Sequence, residues 1–248
     1  MPLLRRGTYD SEIWSGVHYE YPELPMSFEP RDVFIDVGCH TGAVCELAAR
    51  RGATVVGYEA NRENYWLALM NLRHCRSVTL QHAAVWRSDL DSGQSLLFTP
   101  NATSENTGGG SVMFSSQEDH WSAIPSEKSE PSSVAAALSS HSVEPIALDD
   151  VLTACGPTRV LKLDVEGAEF PILLTSSRLD LVDAVIGEYH EFTDDAMAAL
   201  APDSVVGAQR YTVDLLCRCL TSAGFAVRAG PACNGRGSFV AERIDQSG

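Results

Sequence analysis

The sequence predicts an α/β protein built on a mostly parallel sheet of about seven strands with one antiparallel edge strand, and three observations carry that prediction. From Val33 onward, short apolar runs alternate with longer amphipathic ones, the rhythm of strand-helix units that feed a parallel sheet. The run Val160 to Val165 is β-branched and leucine-rich, as strands buried on both faces are. Near the C-terminus, Phe225 to Arg228 and Ser238 to Arg243 are strand-like and joined by a Gly/Pro/Asn-rich link, which suits a hairpin and so an antiparallel edge.

The elements follow in order. Val33 to Val37 predicts the first strand, and Gly42 to Arg51 has apolar residues at helical spacing until Gly52 stops it. Thr54 to Tyr58 predicts the second strand. Asn61 to Arg73 predicts a helix with an Asn N-cap and Tyr65, Leu69 and Leu72 on one face. Val78 to Val85 supplies a third strand. Leu148 to Ala154 opens a short helix on Asp149 and Asp150, and Ala168 to Leu174 another. Ala184 to Tyr189 is a further strand, and Tyr211 to Ala223 an amphipathic helix closed by Gly224.

Two segments depart from this rhythm. Residues 1–30 carry Trp14, His18, Tyr19, Tyr21 and Pro22, which suit an N-terminal arm that either closes over a site as a lid or packs on the sheet edge. From about 100 to 142, Ser, Gly, Glu and Pro dominate, with apolar residues only around Val112 to Phe114 and Trp121 to Ile124. This reads as an insertion or cap, ordered lid or disordered, within a main domain spanning 31–248.

Composition narrows the function. With 44% apolar residues the 248-residue chain can bury a sizeable core, and 33 acidic against 18 basic residues give a net charge of −15. That balance repels phosphate backbones, and the basic pairs Arg5-Arg6 and Arg50-Arg51 and the Arg73 to Arg76 neighbourhood are short, so nucleic acid is not the expected partner. No run approaches the roughly 18 apolar residues of a membrane span. The seven cysteines, at 39, 45, 75, 155, 217, 219 and 233, form no CxxC pair, which suits a reducing cytoplasm. Asn101-Ala102-Thr103 matches a glycosylation acceptor but carries no weight without a secretory signal.

The first candidate site is Asp36-Val37-Gly38-Cys39-His40-Thr41-Gly42, a strand followed by a glycine turn and a helix. Glycine at 38 and 42 lets the chain bend sharply and lets a ligand lie against the backbone. The spacing is GxxxG rather than GxGxxG, which favours a nucleoside ligand lacking a pyrophosphate. Glu59, 23 residues after Asp36 and at the end of the second strand, is placed to accept both hydrogen bonds of a ribose diol.

The second candidate site pairs Lys162-Leu163-Asp164-Val165-Glu166-Gly167-Ala168-Glu169 with Glu188-Tyr189-His190. Strand alternation points Lys162 and Asp164 one way, and likewise Glu188 and His190. Both segments end strands at the edge where open α/β sheets carry ligands. Glu169 alone suits a helix start, where an acid complements the dipole.

The glycine loop with its distant acid resembles the class I S-adenosylmethionine-dependent methyltransferases, and the K-x-D-x-E-G-x-E block together with Leu148-Asp149-Asp150 and Glu188-Tyr189-His190 is similar to the FkbM type over roughly residues 33 to 243. The resemblance implies a Rossmann-like fold and O-methylation of a hydroxyl on a small secondary metabolite, sugar or glycoside, as in antibiotic biosynthesis. It implies cofactor contacts from Asp36, Gly38, Cys39, His40, Gly42, Glu59 and Asp164, with Ala60, Asn61, Ala83 and Ala84 bordering the adenine. Cys39-His40 and the long insertion depart from the family's usual pattern.

His190 is the expected base, oriented by Glu188 or Asp164, since a hydroxyl must lose its proton as it attacks. A rival arrangement has Asp164, Glu188 and His190 bind Mg²⁺ or Mn²⁺. N-methylation of a small amine, which needs no base, stays open. So do a non-catalytic cofactor-binding module and a homo-oligomer.

Overall fold

The computed structural model describes residues 2–21, 24–90, 94–101, 105–116 and 140–244, and the side chains of residues 18–20 lie outside that description. The side chains of the expected lid residues His18 and Tyr19, together with Pro22, the run from Trp121 to Ile124 and most of the glycosylation triplet, therefore fall outside it. Among the described residues no helix is long and apolar enough to cross a membrane.

The chain runs α1 (Asp10–Glu20), β1 (Val33–Val37), α2 (Ala43–Arg50), β2 (Thr54–Glu59), α3 (Arg62–Leu72), β3 (Val78–His82), β4 (Ala84–Trp86), β5 (Leu96–Phe98), β6 (His141–Val143) and β7 (Pro145–Ala147). It continues through α4 (Leu148–Cys155), β8 (Val160–Leu163), α5 (Glu169–Thr175), β9 (Ala184–His190), α6 (Asp194–Ala198), α7 (Val213–Ser222), β10 (Phe225–Ala229) and β11 (Arg236–Arg243).

Seven strands form one sheet in the order β10-β11-β9-β8-β1-β2-β3. The five strands from β9 to β3 are parallel. The final hairpin supplies the antiparallel edge: β11 pairs antiparallel with both β9 and β10, which leaves β10 outermost. Successive side chains of a strand point to opposite faces, so Phe34 enters one core while Ile35 and Val37 enter the other. Because both faces are covered, β1 and β8 are buried along almost their whole length. Chain order reverses at β1, so the turns after β1 and β8 diverge and leave a crevice between them.

Local chemistry sets the boundaries. Asn61 caps α3 by accepting the N–H groups of Glu63 and Asn64. The buried face of α3 is Asn64, Ala68, Asn71 and Leu72, rather than the predicted face through Tyr65 and Leu69. The predicted third strand, Val78 to Val85, divides at Ala83. Its first part pairs with β2, whereas Ala84–Trp86 leaves the sheet and pairs in parallel with Pro145–Ala147. All three residues of β4 are buried, and β7, brought back by the insertion, provides their backbone partners.

The described part of the insertion is built into the fold. Leu96–Phe98 pairs antiparallel with His141–Val143, Thr99 bridges Ser111, and Val112, Met113 and Phe114 are buried. The N-terminal arm is held as firmly. Arg5 binds Asp10, Asp10 accepts from Thr107 at 2.6 Å, and Thr107 Oγ1 lies 2.9 Å from His40 Nε2.

Candidate active site

A cavity of about 260 Å³ lies at the C-terminal ends of β1, β2, β8 and β9, where the crevice is. It is lined by Gly38, Cys39, His40, Glu59, Ala60, Ala83, Ala84, Asp164 and Glu188, all expected from the sequence. Tyr21 and Ile13 of the arm, Phe98 just before the insertion, Val112 within it, and Lys162, Glu166 and Arg236 are among the other residues that line it.

At the end of β1 the chain turns through Gly38 with φ +79°, where a Cβ would stand 1.9 Å from the Asp164 carbonyl oxygen. Only glycine lets the two turns approach so closely. His40 follows with φ +51°, and its backbone N–H donates to Glu59 Oε2 at 2.7 Å while the Asn61 N–H donates to Oε1 at 2.8 Å. Each carboxylate oxygen keeps a further lone pair for a ligand. Burial pushes the Glu59 acid up to about 7.

Four expected site residues do not line the cavity. Asp36 is 0% exposed, with Lys162 Nζ 3.0 Å from Oδ1 and the Cys45 thiol donating to Oδ2. Its position on the inward face of β1 turns it toward β8. Gly42 stands against Leu72 of α3, where a Cβ would come within 2.6 Å of a methyl carbon. Asn61 is spent on the helix cap and on Glu59. His190 stands behind the acids that do face the cavity.

Lys162 gathers the loops. Its buried ammonium contacts Asp36, donates to the Gly38 carbonyl at 2.9 Å and lies 3.8 Å from Asp164 Oδ2. Burial alone lowers a lysine, but Asp36 and Asp164 outweigh it and hold the proton above the ordinary lysine range. Asp164 also accepts from the Tyr21 hydroxyl at 2.7 Å.

The carboxylate end is more ordered than the sequence predicts. Glu169, 0% exposed, accepts the N–H groups of Val165 and Gly167 and so closes the turn into α5. Its Oε1 lies 3.3 Å from His190 Nδ1, and Glu166 Oε2 lies 3.3 Å from His190 Nε2. Glu188, expected to orient the ring, is 3.9 Å away, and Asp164 makes no bond to it. Burial favours neutral imidazole, but Glu166 and Glu169 reverse this and raise His190 to about 10. Glu166 is itself pushed up to about 7, chiefly by burial and against the pull of His190.

Among the described residues, the group whose ligand atoms come within 4.8 Å of one another is Asp164, Glu166 and His190, so Glu166 stands where Glu188 was expected. An ion there would have to displace the His190 proton, since only neutral imidazole coordinates.

Signals for the missed residues were uneven. Glu166 and Lys162 stand inside the specific motif, and Tyr21 among the arm aromatics, but Arg236 and Phe98 carry no local mark.

The FkbM methyltransferase domain matches residues 36–225, well over half of the chain. No curated protein matches the sequence. Among solved structures, the chain is similar to a precorrin-6y C5,15-methyltransferase from Geobacter metallireducens (10% identity, TM-score 0.46, 98% of this chain and 94% of that one). It is also similar to a precorrin-8w decarboxylase from Methanobacterium thermoautotrophicum (16% identity, TM-score 0.43, 94% and 90%) and a SAM-dependent methyltransferase from Aquifex aeolicus (11% identity, TM-score 0.39, 90% and 87%). The assignment rests on the domain match, which runs from the buried Asp36 of the glycine loop to Phe225 in the last hairpin: the chain belongs to the FkbM methyltransferase family and is an S-adenosylmethionine-dependent methyltransferase.

Proposed function

We propose that the protein methylates a hydroxyl group of a small secondary metabolite, sugar or glycoside. The observation that carries this reading is the concentration of Asp164, Glu166 and Glu188 on one side of the cavity, backed by His190. A hydroxyl must shed its proton as it attacks, whereas a neutral amine is already nucleophilic, so such a cluster is needed for the first and not the second. Carboxylates also accept hydrogen bonds from several hydroxyls at once, as a polyol acceptor requires.

S-adenosylmethionine supplies, when bound, a methyl group on a sulfonium that leaves as a neutral thioether. The residues present fit it. Glu59 offers the free lone pairs of a buried carboxylate to a ribose diol, and Ala60, Ala83 and Ala84 with Phe98 give an apolar wall for a base. Asp164 lies between the two halves and favours a cation beside it. Holding the reacting atoms in line accounts for about 7 to 11 kcal/mol of such a barrier, and the arm and insertion, which supply Tyr21, Ile13 and Val112, exclude water while they are held.

The net charge of −15 favours a small acceptor over nucleic acid, and seven unpaired cysteines suit a reducing cytoplasm. The test is a mass-shift screen of glycosides, polyketide alcohols and matched amines with purified protein and labelled methyl donor. Labelled ethers support the reading; labelled amines alone overturn it.

A further inference from the structure

Proton removal requires a group with a free lone pair beside the acceptor, and His190, which is not among the residues lining the cavity, does not offer one there. Glu169 and Glu166 each lie 3.3 Å from one of its ring nitrogens, and Glu169 is fixed in turn by two backbone N–H groups. Nδ1 is hydrogen-bonded to Glu169, whereas Nε2 meets Glu166 Oε2 only as an ion-pair contact without hydrogen-bond geometry.

Glu166 does line the cavity, with 21% of its side chain exposed. Its backbone is left-handed, φ +51°, a conformation that a non-glycine residue seldom takes. Neighbours enforce the turn. The Ser111 hydroxyl from the insertion donates to the Glu166 carbonyl at 3.0 Å. Gly167 follows with φ +101° and with Phe192 packed where a Cβ would stand. The turn thus delivers the Glu166 carboxylate between the His190 ring and the cavity.

We propose that Glu166 is the catalytic residue that takes the acceptor's hydroxyl proton, and that His190 is a positioning residue, whose ring, set between Glu166 and Glu169, holds the Glu166 carboxylate at the cavity wall. The assignment rests on the hydroxyl reading above. In the step, the acceptor oxygen bonds to the methyl carbon as the carbon–sulfur bond breaks and its electron pair stays on sulfur. The hydroxyl proton passes to Glu166, so a carboxylate and a sulfonium become a neutral acid and a neutral thioether, and the acid later returns its proton to water.

The test compares Glu166→Gln, Glu166→Asp and His190→Gln with wild type on the hydroxyl acceptor turned over fastest in the screen, after circular dichroism and cofactor binding show each variant folded. Glu166→Gln should lower kcat by about 10² to 10⁴-fold, leave the cofactor Kd within about twofold and abolish the acid limb of the kcat–pH profile. Glu166→Asp should recover part of the rate. His190→Gln should retain more activity than Glu166→Gln and move the acid limb to higher pH, because the ring that eases Glu166 ionisation is gone. The imidazole itself, followed by nitrogen NMR without any acceptor, should titrate at lower pH in Glu166→Gln than in wild type. A Glu166→Gln enzyme with near-normal kcat, or a His190→Gln enzyme as inactive as Glu166→Gln with an unmoved limb, overturns the assignment while the hydroxyl reading stands. A wild type that methylates amines and no hydroxyl overturns that reading, and this assignment with it.

Discussion

Tyr21 donates its hydroxyl to Asp164 Oδ2 at 2.7 Å across 143 residues of sequence. The bond joins the N-terminal arm, just past α1, to the turn after β8, and the Tyr21 ring lies 5.4 Å from the Lys162 ammonium. The arm is therefore part of the cavity wall, and its fit to the main domain is coupled to the Asp164 carboxylate.

Tyr21→Phe keeps the ring and removes the donor. A hydrogen bond to a charged group contributes about 1.5–3 kcal/mol, so urea unfolding should show a loss of that order. Asp164, without one of the groups that keeps it ionised, should titrate higher, and KM for the acceptor should rise more than kcat falls.

Lys162→Met leaves Asp36 buried without its counter-charge. Breaking a buried pair from one side costs about 3–5 kcal/mol, whereas replacing both members with apolar residues is often neutral. Lys162→Met should be strongly destabilised in urea, and Lys162→Met/Asp36→Leu should recover much of the loss. Equal destabilisation of the single and double variants would argue against the pairing.

The pH dependence of cofactor binding follows from Glu59. Burial raises its acid to about 7 in the free protein, while a ribose diol donates to the ionised form. Binding therefore releases a proton, and affinity should strengthen as pH rises through about 7. The sign for stability is opposite: the folded state binds this proton more tightly than the unfolded chain does, so the Glu59 contribution to stability of the cofactor-free protein falls as pH rises from the ordinary glutamate range through about 7. Titration calorimetry across that range should show both the trend and its flattening in Glu59→Gln.

Activity should survive EDTA. Its loss, with recovery on added Mg²⁺ or Mn²⁺, would transfer the chemistry to an ion at Asp164, Glu166 and His190.

The sheet was legible because strands covered on both faces carry apolar runs whose type does not depend on distant partners. Glycine at 38 was legible for a similar reason, since a tight turn is a local demand. What stayed hidden depended on contacts between segments. Alternation along Val78 to Val85 shows which side chains alternate but not that β7 captures Ala84–Trp86. His190 was visible as a histidine at a strand end, yet its protonation is decided by Glu166 and Glu169 on a different element. Asp36 reads as a ligand group until Lys162 is seen to occupy it. Arg236 and Phe98 reach the cavity only through the hairpin and the pairing of β5 with β6.

The most direct test is calorimetric titration with S-adenosylhomocysteine, which occupies the donor half without turnover. Wild type should bind one equivalent, and Glu59→Ala should bind at least about tenfold more weakly, a loss of about 1.4 kcal/mol. Absence of binding by a folded wild type, or equal affinity in Glu59→Ala, would contradict the placement of the donor at the ends of β1 and β2.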